Sequence, residues 1–396
     1  GKLYISGGKN STQITEYNPL TCSEVKAVEL PSMVYGHASV VLNGNVYILG
    51  GFVNSSYSNQ NLCYSPQKDG WIEETSMLSE RAFFTAEIVN GKIYIFGGQD
   101  INCSPVNTVE EYDIATGTWS PCPPMSERKT YLTSGVIDGK IYVCGGDYWG
   151  YDMPYSNVLE VYDPVSKTWS RKANMPEGLA MPKAVSLNGC LYVVGGYKTV
   201  GSNNQVSQSV YKYDPTSNSW STVAPLPVPS VNHGLVTVNG KIYAIGGQNS
   251  TGVLDSIYEY DPSTDTWTAK NPMPQANMQF STAVVNDKIY IIGGCDFVND
   301  LKSVYEYDPV NETWTQKQNL PSLMARNCSV FDGNKIYTMG GMLDRLIYID
   351  IIDTVYSYSP SNEGIIKLEM GSGIMEPKAG TKTLPLSISN VPSNGI

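Results

Sequence analysis

The sequence predicts an all-β chain built from repeated four-stranded units set around an axis. Three observations carry that prediction. Gly-Gly doublets begin at residues 7, 50, 97, 145, 195, 246, 293 and 340, at intervals of 43 to 51 residues. Short apolar runs rich in β-branched and aromatic residues lead into most of them. A Tyr is followed seven residues later by a Trp in Tyr64/Trp71, Tyr112/Trp119, Tyr162/Trp169, Tyr213/Trp220, Tyr260/Trp267 and Tyr307/Trp314. A strand-rich repeat of this length implies a radial β architecture, each unit burying its face against the next.

Within a unit the elements follow in order. Strand a is a run such as Ala86 to Val89 or Gly234 to Val238. It ends in a turn of the type Asn90-Gly91-Lys92, Asp138-Gly139-Lys140 or Asn239-Gly240-Lys241. Asn-Gly and Asp-Gly between apolar runs signal a hairpin because both residues tolerate positive φ. Strand b runs into the doublet, as in Ile93-Tyr94-Ile95-Phe96 and Ile289-Tyr290-Ile291-Ile292. These runs are too short for helices and are bounded by turn residues. A polar loop of variable length leads to strand c, which ends in a Tyr-Asp-Pro turn such as Tyr162-Asp163-Pro164 or Tyr260-Asp261-Pro262. The Trp then opens strand d, and a linker such as Met175-Pro176, Leu226-Pro227 or Met273-Pro274 leads onward. The doublet permits close backbone approach. Tyr and Trp can fill the wedge between sheets, and the Asp can accept N–H bonds in its turn. All of these roles are structural.

The combination of apolar run, Gly-Gly, Tyr-Asp-Pro turn, Trp seven residues on and Met-Pro linker resembles the kelch repeat, over essentially residues 1–370. The resemblance implies a kelch-type β-propeller with one repeat per blade. The end repeats depart from the pattern: Glu24 stands at the Trp position of the first, and Ile365 at that of the last. The expectation is a single propeller domain over 1–396 with eight four-stranded antiparallel blades, seven being the alternative. Residues 1–8 read as strand b with no strand a before it. The C-terminal segment is therefore expected to supply the innermost strand of the first blade, from about Gly380 to Ser389, although Pro385 is awkward inside a paired strand.

The formal charge is −11, from 26 basic and 37 acidic residues. That balance argues against nucleic acid, which needs a basic stripe, and against anionic membrane surfaces. No apolar run approaches a membrane span. The eight cysteines show no C-x-x-C pair or zinc spacing, and read mostly as free thiols. Cys103, Cys122 and Cys295 are placed in loops. A reducing, cytoplasmic setting is the expectation, with a secreted or surface domain as the alternative. A monomer is expected.

In a four-stranded blade the b–c loops and d–a linkers share one face. The b–c loops differ from one another, and variable loops on a rigid ring are where binding resides. Tyr148 and Trp149 stand out there, Trp149 being the only Trp off the repeat pattern. The d–a linkers entering the channel carry Tyr35, His37, Arg81, Arg128, Tyr131, Asn232, His233, Gln279 and Arg326. The resemblance implies that Arg and polar residues around the channel mouth receive acidic or polar peptide segments. It makes Arg81, Arg128 and Arg326 the first candidates, Arg being suited to carboxylates. Two histidines leave little for metal chemistry, and no Ser-His-Asp arrangement is legible. Neither a catalytic residue nor a cofactor is expected. The reading is a non-catalytic protein- or peptide-binding scaffold. The alternative is a small-molecule or carbohydrate-binding or processing propeller with its site at the channel mouth, using Tyr35, Tyr131, Tyr148 and Trp149.

Overall fold

In a computed structural model of the chain, the described residues are 34–331 except 54–55, 66–67, 69, 149–153, 202 and 321–322. To these are added the backbones of the strands Leu3–Ser6, Gln13–Asn18, Ser23–Glu29, Ile336–Met339, Thr354–Ser357 and Ile366–Glu369. The described residues contain β-strands and no α-helix, with six four-stranded antiparallel sheets arranged in repeat order. The third repeat is representative: Thr85–Val89, Lys92–Phe96, Val109–Asp113 and Thr118–Cys122 pair as neighbours in the order a, b, c, d. Cys122 thus closes a strand rather than standing in a loop, whereas Cys295 lies in the b–c loop as the sequence suggested and is buried there.

The innermost strands succeed one another around the axis: Ala38–Leu42, Thr85–Val89, Thr133–Ile137, Lys183–Leu187, Gly234–Val238, Ser281–Val285 and Cys328–Phe331. The last of these lies against the first. Val330 packs on the cluster formed by Val46, Ile48, Leu62 and Tyr64 of the second repeat, so the round is closed by side chains. The first repeat does not form its own four-stranded blade among the described residues. Its strand b, Leu3–Ser6, pairs in parallel with Ile336–Met339, strand b of the last repeat, giving a five-stranded sheet. Among the described residues no strand a pairs with Leu3–Ser6, whose edge is covered instead by Ile336–Met339. The described residues thus contribute seven inner strands, six of them in four-stranded sheets and the seventh, Cys328–Phe331, in the five-stranded sheet. The expected closing segment, 380–389, lies outside the described residues.

The repeat residues act as the sequence suggested, with one refinement. Each Trp stacks on the Tyr of its own blade, as Tyr307 and Trp314 do at 4.8 Å between ring centroids. From the third repeat to the seventh the indole N–H also crosses the seam, as from Trp119 to Thr75 O at 2.8 Å, Trp169 to Pro123 O at 2.7 Å and Trp267 to Ala224 O at 2.8 Å. The Asp of the c–d turn accepts backbone N–H bonds, as Asp163 does from Val165 at 2.9 Å. The doublet couples neighbouring blades. Its second Gly donates to a carbonyl of the following linker: Gly51 to Arg81 O at 2.8 Å, Gly98 to Lys129 O at 3.0 Å and Gly247 to Asn277 O at 2.9 Å. Gly195 has φ +63°, and a Cβ there would lie 2.4 Å from Ser230 O. Both the conformation and the space exclude a side chain.

Candidate functional site

Three consecutive linker residues have distinct tasks. In the linker after the second repeat these are Arg81, Ala82 and Phe83. The first supplies the carbonyl that the doublet clamps. The second bridges back to the residue after its own doublet, as Ala82 does to Gln99 and Val231 to Gln248. The third takes left-handed backbone angles: Gly36 (φ +66°), Phe83 (+57°), Tyr131 (+52°), Met181 (+53°), Asn232 (+58°), Gln279 (+55°) and Arg326 (+56°). A non-glycine residue in that region is uncommon, and here it recurs in six of the seven linkers, Gly36 holding the position in the first.

These left-handed residues hand a main-chain hydrogen bond from blade to blade. Phe83 donates to Gly36 O at 2.8 Å, Tyr131 to Phe83 O at 3.2 Å and Met181 to Tyr131 O at 3.1 Å. Gln279 donates to Asn232 O at 3.0 Å and Arg326 to Gln279 O at 2.8 Å. The bonds form two arcs about the axis, Gly36 to Met181 and Asn232 to Arg326, at the face carrying the b–c loops and d–a linkers. The side chains at these positions meet around the same circle. Phe83 and Tyr131 have ring centroids 4.9 Å apart, and Arg326 Nε donates to Gln279 Oε1 at 3.0 Å. They form the rim of the channel mouth.

The rim is chemically two-sided. One side is a chain of aromatic rings. Tyr57 and Phe52 are 4.1 Å apart, Phe52 stacks on Tyr35 at 4.9 Å with an 8° interplanar angle, and Tyr35 meets Phe83 edge-on at 6.4 Å. Phe83 then passes to Tyr131. The other side is Asn232, Gln279 and Arg326, with Cys295 Sγ donating to Gln279 Oε1 at 3.4 Å. Arg326 reaches electrostatically across the mouth. Burial raises the Tyr35 and Tyr131 hydroxyl pKa values, and the Arg326 charge opposes both shifts. Below Gln279 and Arg326 lies a cavity of about 210 Å³ bounded by Asp300 and Phe297.

Of the residues anticipated from the sequence, Tyr35, Tyr131, Asn232, Gln279 and Arg326 come together at this rim. Arg81 does not. It is fully buried, donates to Gly97 O at 3.1 Å and Thr108 O at 3.2 Å, and is ion-paired with Glu110. It closes the base of the third blade's b–c loop and cannot contact a ligand. His233 is 2 % exposed and packs beneath the Gly195 doublet, where burial pulls its pKa down to about 3. The ring nitrogens of His37 are buried as well, and its pKa falls to about 4 for the same reason. Both histidines fill the wedge position that Phe84 and Phe280 occupy elsewhere, so neither belongs to the open rim. Arg128 is exposed. With Tyr148 and Cys103 it lines a separate groove of about 500 Å³, where Tyr148 donates to Glu127 Oε2 at 2.7 Å. Trp149 lies outside the described residues. Sequence reasoning missed Phe52, Tyr57, Phe83 and Met181. Counting to the residue just before the wedge position in every linker would have found Phe83 and Met181.

The seven described cysteines are free thiols, and no group of three or more His, Cys, Asp or Glu side chains is placed to hold a metal among the described residues. A ring of half-buried aromatic and polar side chains, rigidly set by main-chain bonds, can hold a ligand by contact.

The fold and rim define a repeat propeller with a loop-face mouth. The chain belongs to the kelch-repeat β-propeller family: the Attractin/LZTR1 beta-propeller model matches residues 3–251, and the KLHDC2/KLHL20/DRC7 Kelch-repeats domain model matches residues 181–384. The chain is 28 % identical over 255 residues to Kelch-like protein 23 of Homo sapiens, covering 60 % of this chain and 42 % of that protein. It is 32 % identical over 125 residues to Kelch-like protein 40 of Xenopus laevis, covering 30 % and 20 %. The chain thus spans less than half the length of these relatives. A solved structure titled "Structure of YjhT" superposes with a TM-score of 0.58 at 17 % identity, covering 73 % of this chain and 98 % of the other, and shares the fold.

Proposed function

We propose that the protein is a non-catalytic protein- or peptide-binding propeller that receives its partner at the channel mouth. The observation that carries this reading is the two-sided rim. Stacked rings supply contact area at low conformational cost, while Arg326, Gln279 and Asn232 offer hydrogen-bonding groups that fix a chain's direction. The net charge of −11 disfavours a polyanionic partner. An isolated carboxylate facing Arg326 remains compatible with it. The expected test result is a protein captured from native lysate by the wild-type chain and lost with Arg326→Gln. Equal capture by both forms overturns the assigned mouth.

A second reading, binding or processing of a small molecule or carbohydrate, is favoured by one observation. Glu87, on the inner strand Thr85–Val89, has its carboxyl pKa raised by burial and accepts from Ser134 Oγ at 2.7 Å. Ser134 lies 2.6 Å from Thr85 Oγ1. A perturbed carboxylate near an axis is a recognised mark of chemistry. Turnover abolished by Glu87→Gln with partner capture unchanged would favour that reading.

A further inference from the structure

We infer that the aromatic side of the rim is a subsite for one bulky apolar side chain, aromatic or branched aliphatic, carried by a peptide ligand. The inference rests on the protein- or peptide-binding reading above and gives that ligand its chemistry. The core tyrosines of the blades, such as Tyr112, Tyr162 and Tyr213, are at most 1 % exposed. Tyr35, Phe52, Tyr57, Phe83 and Tyr131 touch one another in series yet are only half-buried. Packed aromatic surface left partly open and held on rigid backbone marks an interaction site. Met181 follows Tyr131 in the same register and prolongs the apolar side with an adaptable thioether.

The opposite side selects the occupant. Asn232, Gln279 and Arg326 supply amide and guanidinium groups, which satisfy the polar backbone of a peptide but have no use for a hydrocarbon alone. Their positions are set by an arc of main-chain bonds of the same kind as the arc that sets Phe83 and Tyr131, so an anchor side chain and its adjoining peptide groups meet a preformed surface.

The register supplies matched substitutions. Asn232 holds the same left-handed conformation as Phe83, and Gln279 the same as Arg326, so Phe83→Asn and Arg326→Gln change the side chain while retaining a backbone the ring already accommodates. The experiment selects binders from a displayed random 12-residue peptide library on the whole chain and measures their affinities. Peptides sharing a bulky apolar anchor are expected. Phe83→Asn should weaken them at least tenfold, and should cause no further loss once the anchor is changed to Ala. Tyr131→Leu is the second variant, and thermal melts confirm that both are folded. Peptides that lose affinity with Arg326→Gln but not with Phe83→Asn or Tyr131→Leu would overturn the subsite and leave the binding reading standing. Recovery of no peptide would overturn both.

Discussion

Trp220 donates its indole N–H to the carbonyl oxygen of Ala173 at 2.7 Å, reaching from the outer strand of one blade to the linker of the preceding one. The same bond is made by Trp119, Trp169, Trp267 and Trp314, so the Trp of each of these five repeats ties two blades together as well as packing in one. Trp220→Phe keeps the ring contact with Tyr213 and removes only the bond. It should cost about 1 kcal/mol. Trp220→Ala also opens a cavity and should cost about 3–5 kcal/mol. Urea denaturation of the two variants checks the difference.

Arg81 and Glu110 form a buried pair in which Glu110 also accepts from Leu78 N at 2.8 Å and Ser79 Oγ at 2.7 Å. Arg81→Ala leaves that carboxylate without its cation, a loss of about 3–5 kcal/mol. Binding by the folded fraction should be unchanged, because the guanidinium is not at the rim. Loss of binding without loss of stability would return Arg81 to the site.

Gly195→Ala should fail to fold or fold with severe loss of stability. The new Cβ would meet Ser230 O and the His233 ring from a backbone at φ +63°. Gly189→Ala is the control, since it has open space despite a φ of +73°. Its penalty should be limited to the backbone conformation, about 1 kcal/mol. Thermal melts of the two proteins report the contrast.

The buried histidines give stability a pH dependence of defined sign. In the unfolded chain each titrates near 6.5, whereas in the fold His37 titrates at about 4 and His233 at about 3. Below 6.5 the unfolded state binds more protons, so stability is fullest above that pH and declines as pH falls toward 4, by up to about 1.4 kcal/mol per unit for each His. His37→Phe with His233→Phe, matching Phe84 and Phe280 at that register, should flatten the decline between pH 7 and pH 5.5. Denaturant midpoints at the two pH values measure it, and an unchanged slope would contradict the burial argument.

The blade was legible in the sequence because its constraints are local. Asn90-Gly91 demands a hairpin, Tyr-Asp-Pro a turn, and the doublet a backbone free of Cβ. Each recurs at fixed spacing. The rim was less legible because its defining property is a backbone angle, and residues as unlike as Phe83, Met181, Asn232 and Arg326 share it. A side chain's charge therefore misled where its register would not. Arg81 is two residues before Phe83, at the position whose carbonyl is clamped and whose side chain turns inward. Arg326 is at the rim position itself. Ring closure was not legible because it depends on which edges meet at a distance. The parallel pairing of Leu3–Ser6 with Ile336–Met339 has no local signature.

The most direct test of binding at the mouth uses a photo-crosslinking residue at two surface positions. Phe297, beside Arg326, is 64 % exposed on the b–c loop face, and Val165, in a c–d turn, is 83 % exposed on the opposite face. With p-benzoylphenylalanine at position 297 or 165 and irradiation in native lysate, discrete protein adducts are predicted from position 297 alone. Adducts from position 165 alone, equal adducts from both, or none from either would contradict a partner seated at the channel mouth.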